Sequence, residues 1–172
     1  DFAQVASDKK AYAKATRQQY DQQDEIYGKT VIQRHGKQML VQNPPALSLT
    51  QEELDVVYQL PFQRKPHPMY DAQGGVPGIA EVQFSIAHNR GCFGYCNFCS
   101  IALHQGRRVT CRSEESILKE AKQITEMPNF KGYIHDVGGP TANFRAPSCK
   151  KQLTKGLCKG KKCLAPEICP AI

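Results

Sequence analysis

The sequence predicts an α/β chain: one strand–helix–strand unit preceded by a mixed helix and hairpin segment, truncated before a full sheet or barrel is complete. Three observations carry this reading. Glu81 to Ala87 alternates, with Val82, Phe84 and Ile86 on one face, as a half-buried strand does. Ser113 followed by Glu114 and Glu115 opens a helix with a capping hydroxyl and two carboxylates in its first turn. Its apolar stripe is Ile117, Leu118, Ala121 and Ile124, and Pro128 marks its exit. Gly132 to Val137 reads as the second strand and runs into Gly138-Gly139-Pro140. Strands joined by such a crossover pair in parallel. The segments after Ala87 and Val137 therefore follow the carboxyl ends of neighbouring strands, where α/β proteins build their sites.

Upstream, Asp8 to Asp24 is rich in Lys, Ala, Gln and Arg with no Gly or Pro, which predicts a surface helix with Ala11, Ala15 and Tyr20 on one face. Thr30–Gln33 and Gln38–Gln42 flank His35-Gly36 and predict a β-hairpin. Asn43-Pro44-Pro45 ends that pattern. Thr50 with Glu53 three residues later is a capping box, so a short helix is expected from Gln51 to about Tyr58. From Pro61 to Pro77 the prolines and glycines exclude a long helix or a central strand and predict an extended connector. The expected organisation is an upstream segment over 1–77, the start of an α/β core over 78–148, and a tail rich in Cys and Lys over 149–172.

Composition narrows the function classes. The 172 residues are 40% hydrophobic, enough for one ordinary core. A mean hydropathy of −0.52 and the lack of a long apolar run argue against a spanning helix, so no membrane partner is expected. No charged-then-apolar leader opens the chain, and its start at Asp1 suggests a piece of something larger. Eight cysteines without an export signal favour metal ligands or redox thiols over a disulfide framework, and hence the reducing cytoplasm. The net charge of +7 favours anionic partners without naming one.

Cys92-Phe93-Gly94-Tyr95-Cys96-Asn97-Phe98-Cys99 places three thiols in one short loop. Soft thiolates at this spacing can present three sulfurs to an iron–sulfur cluster and leave one iron open to a small molecule. Three close cysteines can alternatively be part of a zinc site completed by His104 or Cys111. The C-x₃-C-x₂-C loop, with an aromatic residue before the last cysteine and a strand before the loop, resembles the signature of the radical SAM superfamily. The wider stretch from Phe84-Ser85-Ile86 through His104-Gln105-Gly106-Arg107 to Asp136-Val137-Gly138-Gly139-Pro140-Thr141 more narrowly resembles the YgiQ-type radical SAM proteins, and the resemblance covers nearly the whole chain.

The resemblance implies the start of a partial βα barrel in which Cys92, Cys96 and Cys99 hold a [4Fe–4S] cluster. S-adenosylmethionine would chelate the fourth iron, and an electron from an external one-electron donor would cleave it to methionine and a 5′-deoxyadenosyl radical. Phe98 would lie near the adenine or pack behind the cluster, and Gly138 and Gly139 would let the backbone approach the methionine end. The glycine pair reads equally well as a turn after a strand. Pro140 stands where a Glu often follows the pair in this superfamily, so Thr141 or a backbone carbonyl would have to meet the amino group. The substrate is not legible. The full-length parent is expected to be an enzyme, and the isolated piece to be inactive, with exposed strand edges and apolar faces.

Cys149, Cys158, Cys163 and Cys169 form a second constellation, embedded in a lysine-rich run without acidic residues between the first and third. Four thiols can close a second iron–sulfur cluster or a zinc site, with the lysines offsetting thiolate charge, or they can remain reactive thiols. The lysines also admit a solvated face or a contact to RNA, although no aromatic residues interleave them for base stacking. Cys111 reads as a small core residue, Arg107, Arg108 and Arg112 as solvated unless they pair with a cofactor carboxylate, and His104 and His135 as packing or capping residues. The alternatives to a radical SAM enzyme are an iron–sulfur electron carrier closed by the four-cysteine tail and a zinc-stabilised binding module with a basic tail.

Overall fold

A computed structural model of the chain describes residues 1–139, 142–147, 149–160 and 162–172. In chain order the elements are α1 (Phe2–Ser7), α2 (Lys9–Asp21), β1 (Val31–His35), β2 (Gln38–Gln42), α3 (Gln51–Tyr58), a 3₁₀ turn (Pro68–Gln73), α4 (Ile79–Val82), β3 (Ser85–Ala87), β4 (Asn89–Arg90), α5 (Ile101–His104), β5 (Thr110–Cys111), α6 (Glu114–Thr125), β6 (Asp136–Gly138) and α7 (Lys151–Lys155). The architecture is mixed α/β with small sheets, each of two strands among the described residues. No described helix is long and apolar enough to cross a membrane. The chain divides into two compact units, one of residues 1–48, 91–109 and 147–172, the other of 49–90 and 110–146.

In the first unit, Asp1 and Asp8 cap α1 and α2 by accepting from the amides of Ala3 and Lys10. The hairpin β1–β2 is antiparallel, with His35 opposite Gln38 and the turn at Gly36, whose φ of 60° suits glycine. Its register turns Ile32 outward, and His35 stacks on Phe2 at 4.6 Å between ring centroids.

In the second unit, α3 has the predicted bounds, and both arms of the Thr50–Glu53 capping box are present. β3 and β6 pair in parallel, Ser85 with Asp136 through Ala87 with Gly138, and α6 crosses between them. The core is Phe84, Ile86 and Ile124, flanked by Ile117, Ala121, Met127, Phe130 and Ile134, with Phe130 edge-on to Phe84.

Four expectations change. The strand expected from Glu81 begins only at Ser85, because Ile79–Val82 closes a helical turn and leaves Val82 exposed. The reason lies in a partner distant in the chain. Gln83 donates through Nε2 to the Arg64 carbonyl at 2.9 Å, and its own carbonyl accepts from Arg64 Nη1 at 2.8 Å. The second strand is likewise short, and Val137 is half exposed. On α6, Leu118 points to solvent and the buried position is Glu120, which meets Arg112 and Arg64. Periodicity misassigns that stripe because a carboxylate with one buried and one half-buried cation to neutralise takes an inward place. Arg112, expected to be solvated, is 1% exposed.

Candidate metal centre in the cysteine loop

β4 and β5 pair antiparallel, Asn89 with Cys111 and Arg90 with Thr110, so residues 91–109 leave and return at adjacent points. Gly91 has a φ of 84°, and a Cβ there would collide with the Arg108 carbonyl. The position needs glycine for both reasons. The Gly91 amide donates to Gln105 Oε1 at 3.3 Å and the Cys92 amide to the Gly106 carbonyl at 3.0 Å, which closes the loop on itself.

Cys92, Phe93 and Gly94 are buried, Cys99 is half-buried, and Cys96 is exposed. An alanine Cβ at Gly94 would lie 3.4 Å from Cys92 Sγ and 3.6 Å from Cys96 Sγ. Two of the three loop thiols thus face the hollow that this glycine leaves open. The Cys99 amide donates to the Cys96 carbonyl at 3.1 Å, a turn that brings the second and third cysteines onto one cavity of about 220 Å³. Between them and Gly94 stands Tyr95, a non-glycine residue at φ 50°, a conformation that costs about 1–3 kcal/mol and persists where its surroundings fix it. Arg107 lies 4.3 Å over its ring, and burial pushes the Tyr95 hydroxyl pKa up.

The rest of that cavity comes from segments distant in sequence. Arg17, Tyr20 and Asp21 of α2, Tyr27, Arg107, and Cys158, Lys159 and Lys162 of the tail line it. Four cations face a single carboxylate, so the cavity suits an anionic group or thiolate charge. Two acidic residues that the sequence reading passed over hold these segments together. Asp24 is buried and accepts from the amides of Ile26 at 2.7 Å, Tyr27 at 2.9 Å and Leu157 at 2.6 Å. Glu25 pairs with Arg108 Nη1 at 2.6 Å and accepts from the Ser48 amide at 2.6 Å. The only sequence signal for them was an acidic dipeptide between a helix and a hairpin.

The remaining candidates fall as follows. Phe98 is 93% exposed, so it is not packed behind the loop. Gly138 is buried, and a Cβ there would come within 2.9 Å of Asn143 Oδ1 and the Asp136 carboxylate. A Cβ at Gly139 would fall onto Asn89 Oδ1 and the Ala142 carbonyl, and the Gly139 amide donates to Asn143 Oδ1 at 3.1 Å. The side-chain amide of Asn89 and Nδ1 of His88, both buried just past β3, have no hydrogen-bond partner among the described residues. Thr141 and Pro140 lie outside the described residues. Cys111 is buried, its thiol donates to the Phe144 carbonyl at 3.3 Å, and burial raises its pKa. Cys149, Cys158, Cys163 and Cys169 line one small pocket, and Lys151 Nζ is 3.2 Å from Cys158 Sγ. Among the described residues, no three His, Cys, Asp or Glu side chains lie close enough together to hold one metal ion as they stand.

Residues 1–85 match the family model described as radical SAM N-terminal. The chain is 55% identical over 168 residues, 98% of its length, to a UPF0313 protein of Clostridium perfringens and to one of Clostridium botulinum. The chain belongs to the radical SAM superfamily. It spans about a quarter of the length of these curated relatives (25% and 26%). No solved structure matches it. The family's cofactors pose a specific question of fit. The donor set is right for an iron–sulfur cluster, because thiolate is its ordinary ligand and each of three irons takes its own sulfur. The hollow at Gly94, faced by two of these sulfurs, gives room that a side chain would have filled. The residues fit.

Proposed function

We propose that this chain is an internal portion of a radical SAM enzyme that carries the start of its core, with β3, α6 and β6 the first unit of its βα barrel. Cys92, Cys96 and Cys99 would hold a [4Fe–4S] cluster in an open, three-ligand arrangement. The observation that carries this reading is the convergence of the Cys92 and Cys96 sulfurs on Gly94, with Cys96 and Cys99 on the wall of one cationic cavity. When bound, the cluster and S-adenosylmethionine supply reductive cleavage of the sulfonium to methionine and a 5′-deoxyadenosyl radical.

The chain's own residues then have defined tasks. The buried Cys92 anchors the loop, and the exposed Cys96 leaves an approach from solvent. Arg107 is the cation placed to neutralise charge at the cavity, fixed by its stacking on Tyr95. Phe98, free of packing, offers a face for the adenine. On the family resemblance, Gly138 and Gly139 would present backbone to the methionine end; beside Gly139, the buried side-chain amide of Asn89 has no partner among the described residues. An external reductant donates the electron. The reading places the protein in the cytoplasm, where thiols stay reduced.

Anaerobic iron and sulfide reconstitution followed by electron paramagnetic resonance tests the proposal. The expected result is a reduced-cluster signal that shifts on adding S-adenosylmethionine and disappears in Cys96→Ala. A cluster whose signal ignores S-adenosylmethionine, or a protein that takes up no iron, would overturn it.

A further inference from the structure

The four tail cysteines serve no role in the loop chemistry, yet they are gathered at one place. Cys149, Cys158, Cys163 and Cys169 all line a pocket of about 20 Å³. The arrangement is built into the backbone: the Cys169 amide donates to the Cys163 carbonyl at 2.9 Å, and the Gln152 amide to the Cys149 carbonyl at 3.1 Å. Two nitrogens already approach the sulfurs, Lys151 Nζ at 3.2 Å from Cys158 and Gln152 Nε2 at 3.9 Å from Cys163. Such N–H···S contacts favour a thiolate and orient it as a ligand. Gln152 is 4% exposed, so this contact is made away from water.

Four thiols can take a zinc ion or an iron–sulfur cluster, and the small pocket here, about 20 Å³ against about 220 Å³ at the cysteine loop, favours the single ion. Four thiolates around a divalent ion leave two negative charges, and two lysines, Lys151 and Lys162, line the same pocket. All four cysteines line the pocket, although no three donors among the described residues are close enough to share an ion as they stand, and a change of staggered well at χ1 swings a cysteine sulfur by the width of an atom.

We propose that Cys149, Cys158, Cys163 and Cys169 form a closed tetrathiolate site for one zinc ion, which fastens the C-terminal segment. This goes beyond the radical SAM reading and does not depend on it. Zinc supplies folding free energy to a segment with little apolar burial of its own. Cys158 also lines the cavity of the cysteine loop, so the ion fixes part of that wall.

The test uses the full chain with Cys92, Cys96 and Cys99 all replaced by Ala, so that metal at the loop cannot be confused with metal at the tail. Elemental analysis should find one zinc per chain, and Cys163→Ala in that background should weaken zinc retention at least about tenfold. Gln152→Ala, which leaves every thiol in place, should weaken it by about 10-fold to 100-fold by removing an N–H···S contact. Alkylation of the unmutated protein, mapped by mass spectrometry, guards against a misfolded variant. The four tail cysteines should resist labelling until a chelator strips the zinc, while exposed Cys96 labels at once in metal-free protein. Tail thiols that label as fast as Cys96 in the protein as purified, before any chelator, with no zinc found by elemental analysis, or iron and sulfide retained in place of zinc, would overturn the proposal. A cluster missing from the loop would count against the radical SAM reading alone.

Discussion

Glu120→Gln is the substitution that most directly tests the packing beneath the strand that leads into the cysteine loop. Glu120 is buried on α6, with one carboxylate oxygen on Arg112 Nη1 and the other on Arg64 Nη2. The two guanidiniums are in turn the donors that hold β3: Arg112 Nη1 reaches the Ala87 carbonyl at 3.0 Å, and Arg64 Nη1 reaches the Ser85 carbonyl at 3.1 Å. Arg112 also donates to the Ser116 hydroxyl and carbonyl at 2.9 Å and lies 4.1 Å over the Tyr58 ring. Burial pushes the pKa of both arginines below the ordinary guanidinium range, with Tyr58 and Asp55 offsetting part of this at Arg112, and Glu120 is the carboxylate paired directly with both. Gln keeps the shape and removes the charge, leaving two cations without a counter-ion. Removing one partner of a buried pair costs about 3–5 kcal/mol, a large part of the 5–15 kcal/mol that a domain has. Urea unfolding followed by far-ultraviolet circular dichroism should show that loss as a lower midpoint at unchanged slope. Arg64→Met in the Glu120→Gln background should recover part of it by removing the more exposed orphan. A loss below about 1 kcal/mol would mean that the three charges are solvated, and the account of β3 would fall with it.

Other consequences are as direct. Gly139→Ala places a Cβ against Asn89 Oδ1 and the Ala142 carbonyl, one of them backbone, so a destabilisation of about 1–3 kcal/mol is expected in the same unfolding assay. Gly94→Ala meets only ordinary contacts at 3.4 and 3.6 Å, so metal-free stability should change by less than about 1 kcal/mol. Iron uptake on reconstitution should nevertheless fall, because the new methyl occupies the hollow between two ligand sulfurs. His88 has its pKa lowered, first by burial and then by Arg145. The unfolded chain therefore binds a proton that the folded chain resists, and stability is full above the ordinary value of about 6.5 and declines as pH falls below it. His88→Gln should flatten that decline between about pH 7 and 5, measured as midpoint against pH.

Where a signal was local, the sequence carried it. The Thr50–Glu53 box, the Ser113 cap and the hairpin turn at Gly36 depend on neighbours within a few residues, and each element formed where its signal stood. The parallel pairing of β3 with β6 followed from the crossover helix between them. The errors came where distant partners overrode the pattern. Val82 left the strand because Gln83 is tied to Arg64, nineteen residues back in the chain. Leu118 yielded its inward place because Arg112 and Arg64 needed a carboxylate there. Nor does spacing say that Asp24 holds the Leu157 amide across 133 residues, or that Glu25 meets Arg108 across 83.

The two cysteine sets separate on the same ground. By composition they are alike, thiols among cations; by surroundings they are opposite. Cys96 is exposed and Cys96 and Cys99 face a cavity of about 220 Å³, whereas the tail cysteines face one of about 20 Å³. A metal that must accept a small molecule needs an open position and space beside it, and a metal that only holds chain together needs neither. Cys158 lines both cavities, and the tail that carries it is held by Asp24 through Leu157. Asp24→Asn should therefore act on both sets. Losing charge on three accepted amide bonds weakens the anchor by about 1–3 kcal/mol. The shared wall should loosen, exposing Cys158 to alkylation in metal-free protein sooner than in the parent chain. Unchanged labelling of Cys158 would mean that the tail keeps its place without Asp24, and that the open and closed sites are independent of each other.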